Sequence, residues 1–221
     1  MNEKQEIIKI IRSMSGRFSG YQIFSDWVEC SALAISNTCR LHHDKIWQDR
    51  EDRYIAIMQK YSDDEKTKFA EMLAFLTEAY EEDLTDVLGE VYMEAQLGSK
   101  ETGQFFTPYH LSELCSSLAV SDSIMSFSVG ITELNEPSCG AGGMIIATAV
   151  AMKKAGIDYQ THLRVVAQDL DWRCVYMCYV QLSLLGIDAI VVQGDTLQEP
   201  YHPGYDKGRI LITPRRAGCL I

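Results

Sequence analysis

The chain has 221 residues, 47% of them hydrophobic and 23% charged, and its 20 basic against 31 acidic side chains leave a formal charge of −11. That apolar share excludes intrinsic disorder, and 15 glycines exclude a collagen-like repeat. The acidic balance excludes a general attraction to phosphate backbones, so contact with nucleic acid needs a local basic patch or a partner subunit.

Residues 1–100 contain no proline and read as helices. Ile7, Ile8, Ile11 and Met14 recur at helical spacing, as do Ile23, Trp27, Ser31 and Ala34. A third helix is predicted over residues 45–60, with Trp47, Tyr54, Ile55 and Met58 as apolar anchors. A fourth opens at Ser62, where Glu65 completes a capping box. A fifth carries Leu84, Leu88, Val91, Tyr92 and Ala95, with Gly98 as its stop. Together they define a helical N-terminal domain over residues 1–100. Residues 71–94 are rich in acids and hold no Lys or Arg. This stretch reads either as a solvated face or as a docking surface for a basic partner.

From residue 107 the pattern changes, and all five prolines follow it. Thr107 as N-cap and Pro108 at the first helical position open a helix carrying Leu111, Leu114, Cys115 and Leu118. Strands are predicted at 131–134, 165–167, 189–192 and 209–212, with helices at 145–154 and 172–185. This alternation implies an α/β domain over residues 101–221, a parallel sheet with crossover helices.

The seven cysteines form no C-x-x-C pair, and their odd number fits a reducing compartment. Cys174 and Cys178, one helical turn apart, read as core. His42 and His43 follow Cys39 without a second ligand pair, so no metal is expected. The N-terminal residues lack the apolar run of a signal peptide. The longest apolar run, 141–152, is shorter than the about 20 residues a bilayer demands. A cytoplasmic protein without membrane contact is expected.

Three segments carry candidate chemistry. E-P-S-C-G-A-G-G-M, residues 136–144, stands at a strand-to-helix junction, where Gly140, Gly142 and Gly143 let a ligand lie against bare N–H groups. Ile145 occupies the third glycine position of a dinucleotide fingerprint, which weakens a nicotinamide reading. Asp169 ends the next strand, where an acid can accept hydrogen bonds from both hydroxyls of a ribose; a helix cap at Asp169 or Asp171 is the structural alternative. G-D-T-L ends the third strand, and Asp195 there can accept from an adenine amino group or close a turn. Three adjacent strand ends of this kind describe a nucleoside-bearing ligand across the carboxyl edge of a sheet.

With these segments in place the chain resembles the N6-adenine DNA methyltransferases, specifically the methylation subunits of type I restriction–modification systems. The matching segments are D-V-L-G-E-V-Y at 86–92, G-Q-F-F-T-P at 103–108, the glycine loop, A-Q-D-L-D at 167–171 and G-D-T-L. The resemblance implies a Rossmann-like methyltransferase sheet and S-adenosylmethionine as cofactor. It implies that Phe106, Thr107 and Pro108 line the methionine end and that Glu136, Ser138, Gly140, Gly142 and Gly143 form the loop beneath. Asp169 is then expected to hold the ribose, and Asp195, Thr196 and Leu197 the adenine. The family usually has Asp at position 136. DNA and a specificity subunit are the partners it implies.

The family's catalytic motif, N-P-P-[F/Y], closes its fourth strand. Here that strand reads R-I-L-I-T-P-R-R, so Thr213 stands where Asn belongs, Pro214 fits, and Arg215 and Arg216 replace the second Pro and the aromatic. Thr213 and Pro214 are the catalytic candidates the resemblance leaves. The family continues into further strands and a target-recognition region, so an incomplete sheet is implied, with self-association or a partner covering its exposed edge. The competing readings are a cofactor-binding or partner-interaction module without methyl transfer, and a small-molecule methyltransferase.

Overall fold

The computed structural model describes residues 2–95 and 106–219, with side chains described at all of these except 121–129. Five helices come first: α1 (Glu3–Met14), α2 (Gly20–Thr38), α3 (Lys45–Met58), α4 (Asp63–Glu82) and α5 (Val87–Glu94). Each starts where a polar side chain caps it. Asn2, Ser19, Asp44, Ser62 and Asp86 each accept from a backbone amide of the first turn, and Ser62 with Glu65 forms the complete capping box. Gly98, the expected stop of the fifth helix, lies outside the described residues.

The apolar stripes of these helices meet as the spacing requires. Ile7, Ile8 and Ile11 pack with Ile23, Phe24, Trp27, Met72 and Leu76, all at most 1% exposed. Full burial of each such side chain contributes about 1.5–3 kcal/mol before entropy is charged. The Trp27 indole N–H donates to the Phe69 carbonyl at 3.1 Å, so the ring is buried without leaving a donor unpaired.

The second half holds α6 (Tyr109–Val129), β1 (Thr132–Glu136), α7 (Gly143–Lys154), α8 (Tyr159–His162), β2 (Leu163–Asp169), α9 (Trp172–Leu184), β3 (Asp188–Gln193), β4 (Ile210–Ile212) and α10 (Pro214–Ala217). The sheet order is β1-β2-β3-β4. β1, β2 and β3 are parallel, with Glu136 beside Ala167 and Asp169 beside Gln193, so their carboxyl ends share one edge. A single apolar core runs from Ile7 through the glycine loop to Leu211, and α2 packs along α9. The helical segment is therefore fastened to the back of the sheet. Among the described residues no helix is long and apolar enough to cross a membrane.

Two expectations need correction. Thr107 does not cap α6; Pro108 occupies the N-cap position and makes no side-chain cap bond. More consequential, β4 runs antiparallel to β3, with Ile212 beside Ile190 and Ile210 beside Val192. A parallel return needs a crossover of a dozen or so residues, usually helical. Residues 194–209 contain Pro200, Pro203, Gly194, Gly204 and Gly208, which do not support one. Instead the segment folds over the end of the sheet. The buried Gln168 amide fixes it there, donating to the Glu199 carbonyl at 3.0 Å and accepting from the Tyr201 amide at 3.1 Å. β1 and β4 are left as edge strands. Leu111, Leu114 and Leu118 of α6 are exposed, forming an apolar stripe at helical spacing.

Candidate functional site

β1 delivers the chain to Glu136 and the glycine loop then reverses it into α7. The loop is held to the neighbouring strand by the Cys139 amide, which donates to the Gln168 carbonyl at 3.0 Å. Gly140 has φ of 53° and its amide donates to Asp169 Oδ2 at 2.9 Å. Gly142, with φ of 98°, closes the turn: its amide donates to the Cys139 carbonyl at 2.8 Å. A Cβ at Gly142 would lie 3.2 Å from Cys178 Sγ. Replacement of Gly142 by alanine is therefore expected to cost about 1–2 kcal/mol from the left-handed backbone alone. A thermal midpoint lowered by roughly 2–8 °C is the expected readout.

The loop forms one wall of a cleft of about 430 Å³. Phe106, Thr107, Glu136, Ser138, Gly140, Gly143 and Asp169, all expected from the sequence, line it together. A side chain at Gly140 would be tight as well as strained, because a Cβ there would meet the Phe106 ring at 3.1 Å and the ring would have to shift by a few tenths of an ångström. Asp171, not Asp169, caps α9 by accepting from the Arg173 amide at 2.8 Å. Asp169 uses its oxygens on the Gly140 and Asp171 amides, and its carboxylate still lines the cleft. Burial, with the neighbouring Asp169 charge adding to it, holds the Glu136 carboxyl above its usual 4.5.

The other candidates do not reach the cleft. Pro108 and Gly142 adjoin lining residues in the chain but do not themselves line it. Asp195 closes a turn, with Oδ1 accepting from the Leu197 amide at 2.9 Å; Leu197 is 94% exposed. Thr196 Oγ1 is buried with no partner among the described residues. Asp195, Thr196 and Leu197 are all absent from the cleft wall. Thr213 and Pro214 do not line it either. The Thr213 amide donates to the Ala189 carbonyl, which places the residue at the amino end of β3, opposite the edge that holds the glycine loop. Its hydroxyl is fully used, donating to the Ile187 carbonyl at 2.7 Å and accepting from the Ala189 amide at 2.9 Å. The expectation that Thr213 and Pro214 meet the ligand is corrected by this placement. The antiparallel β4 is the cause.

Two residues that were given no role in the sequence analysis complete the site. Asp86, the first residue of the D-V-L-G-E-V-Y segment, lines the cleft at 4% exposure. It caps α5 by accepting from the Gly89 amide at 2.9 Å. The pattern D-x-x-G signals this arrangement, since a Cβ at position 89 would overlap the Asp86 carboxylate. Gln181 of α9 is fully buried and bridges Asp86 Oδ1 at 2.8 Å and the Ala141 carbonyl at 2.7 Å.

The profile of the N-6 DNA methylase family matches residues 82–213, more than half of the chain. The chain belongs to the N-6 DNA methylase family. Among solved structures, the methyltransferase subunit of a type I restriction-modification system from Streptococcus thermophilus is similar at 16% identity and a TM-score of 0.47. The alignment covers 89% of this chain and 44% of that one, so this chain spans less than half of that subunit's length. No curated protein sequence matches. Membership of the N-6 DNA methylase family carries S-adenosylmethionine as the family's methyl donor. The family match begins at residue 82, so it takes in α5 with Asp86 as well as the glycine loop.

Proposed function

We propose that this member of the N-6 DNA methylase family binds S-adenosylmethionine in the glycine-loop cleft and serves as the cofactor-holding part of an N6-adenine DNA methyltransferase of the type I restriction–modification kind. One observation carries the reading. Asp86, Glu136 and Asp169 stand around the cleft, and no Lys, Arg or His is among the described residues that line it. An acidic, partly desolvated wall favours a sulfonium cation and repels the phosphates of a dinucleotide or nucleoside triphosphate. Gly140 and Gly143 leave bare backbone for the ligand, and the volume falls within the range of roughly 300–1,000 Å³ usual for small-molecule sites. Asp169 accepts from the ribose hydroxyls in this reading. When bound, the cofactor supplies an activated methyl group; the chain's part is to orient it and exclude water.

Isothermal titration tests the proposal. One equivalent of S-adenosylmethionine is expected to bind, and NAD is expected not to. Cation binding favours the ionised Glu136, whose pKa is raised by burial. The affinity is therefore expected to fall as the pH is lowered from 7 toward that raised value, and less so for Glu136→Gln. Absence of binding at pH 7 overturns the proposal.

The group that accepts the hydrogen bonds of the target amino nitrogen is proposed to come from a partner chain, because the Thr213 hydroxyl is already committed to β3. DNA and a specificity subunit are proposed partners on the family's pattern, and self-association or partner binding at the open sheet edges is proposed with them. The division at residues 1–100 and 101–221 is proposed as one of helical and sheet segments, with the helical segment lending Asp86 to the cofactor cleft. The same Thr213 observation favours a second reading, a cofactor-holding module without transfer. Methyl incorporation from labelled cofactor into adenine-containing DNA, in the presence of the partner, separates the two.

A further inference from the structure

Asp86 is more than a helix cap. A cap needs one oxygen, and Asp86 Oδ1 provides it, accepting from the Gly89 amide at 2.9 Å and the Gln181 side-chain amide at 2.8 Å. Among the described residues Oδ2 receives no hydrogen bond, although the side chain is 4% exposed and lines the cleft. Oδ2 lies between α5 and the point where the glycine loop becomes α7: a Cβ at Gly89 would overlap it, and one at Gly143 would come within 2.8 Å of it. A buried carboxylate with one free oxygen is costly, whereas Asn or Ser would cap the helix as well. What a carboxylate adds over those residues is negative charge toward the cleft.

We propose that Asp86 Oδ2 receives the α-ammonium of the ligand's aminoacyl end, so that the cleft selects an amino acid conjugate of adenosine and not adenosine derivatives at large. This rests on the S-adenosylmethionine reading of the cleft. Thr107 and Ser112, on the same wall, offer hydroxyls of suitable polarity beside that ammonium.

The test is a two-by-two titration with the full chain. The ligands are S-adenosylmethionine and its deaminated analogue, which keeps the sulfonium and carboxylate but carries hydrogen in place of the ammonium. The proteins are the parent and Asp86→Asn, which preserves the cap. The parent is expected to prefer S-adenosylmethionine roughly tenfold or more, as for a charge-assisted hydrogen bond. Asp86→Asn is expected to bind both ligands within about twofold of each other. A preference retained in Asp86→Asn, or an equal loss for both ligands, overturns the assignment while leaving the cofactor reading intact. A parent that binds neither ligand overturns both. Circular dichroism melting of Asp86→Asn at or above the parent midpoint is expected, since burial already pushes the Asp86 carboxyl up and its charge is unfavourable in the folded chain. A midpoint well below the parent would show that the charge serves the fold, which overturns the assignment.

Discussion

Gln181→Leu is expected to lower the unfolding free energy by about 3–5 kcal/mol, a loss few single substitutions reach. The side chain is fully buried and every polar atom on it is used. Nε2 donates to Asp86 Oδ1 at 2.8 Å and to the Ala141 carbonyl at 2.7 Å. Oε1 accepts from the Leu88 amide at 3.0 Å and from the Tyr80 hydroxyl. Leucine fills nearly the same volume, so no cavity forms and the cost is polar. Four buried groups lose a partner, and each orphan costs about 1–3 kcal/mol. Asp86 recovers part of this because it keeps the Gly89 amide. Urea unfolding followed by circular dichroism checks the figure; a loss under about 1 kcal/mol would contradict a fully satisfied hub. The consequence extends to the cleft. Gln181 ties α4 and α5 to the glycine loop, so cofactor affinity is expected to fall with stability.

The helices were legible because their signals are local. Apolar residues three and four apart and a capping box at Ser62 act within one turn, and the structure keeps them; the fifth helix starts later than expected, at Val87, so Leu84 falls outside it. The three parallel strands were legible from apolar runs separated by helices. The fourth strand's partner and direction were not. They depend on how residues 194–209 return, and that return is fixed by a distant amide, Gln168, buried between strands. The consequence reached the site: an antiparallel β4 puts Thr213 at the wrong end of β3 for any role beside the glycine loop.

Asp86 was obscured for a different reason. Charge pattern marks the acids of residues 71–94 as one class, and most of them are solvated: Glu71, Glu78, Glu81 and Glu82 are exposed. The D-x-x-G pattern sets Asp86 apart as a cap, but its place in the cleft follows from burial, which is a property of the fold. Asp195 lies outside the cleft wall, and its side chain meets a local competition that sequence cannot rank. An Asp after a strand serves equally as a ligand acceptor and as the side chain that closes an Asx turn, and here the Leu197 amide wins it. Asp169 closes the same kind of turn, its Oδ1 accepting from the Asp171 amide, and what sets it apart is its place in the cleft wall.

Asp169→Ala is the second large expected effect, this time on binding. The carboxylate does two jobs: Oδ2 holds the Gly140 amide at 2.9 Å and Oδ1 the Asp171 amide at 3.0 Å, while the group itself faces the cleft. Removing it frees the loop amide that shapes the wall and removes the acceptor for the ribose. With charge-assisted bonds at about 1.5–3 kcal/mol each, a loss of about 2–4 kcal/mol in cofactor binding is expected, a factor of roughly 30 to 1,000 in Kd. The ribose role can be separated from the loop role. The parent is expected to discriminate against an S-adenosylmethionine analogue lacking the 2′-hydroxyl, and Asp169→Ala to bind the two ligands alike. If Asp169→Ala binds S-adenosylmethionine as tightly as the parent, the carboxylate is a loop brace alone and the nucleoside must lie elsewhere. If it binds weakly yet still discriminates at the 2′ position, the ribose is held by another group, and Glu136, the remaining acid at the end of the adjacent strand, becomes the residue to change next.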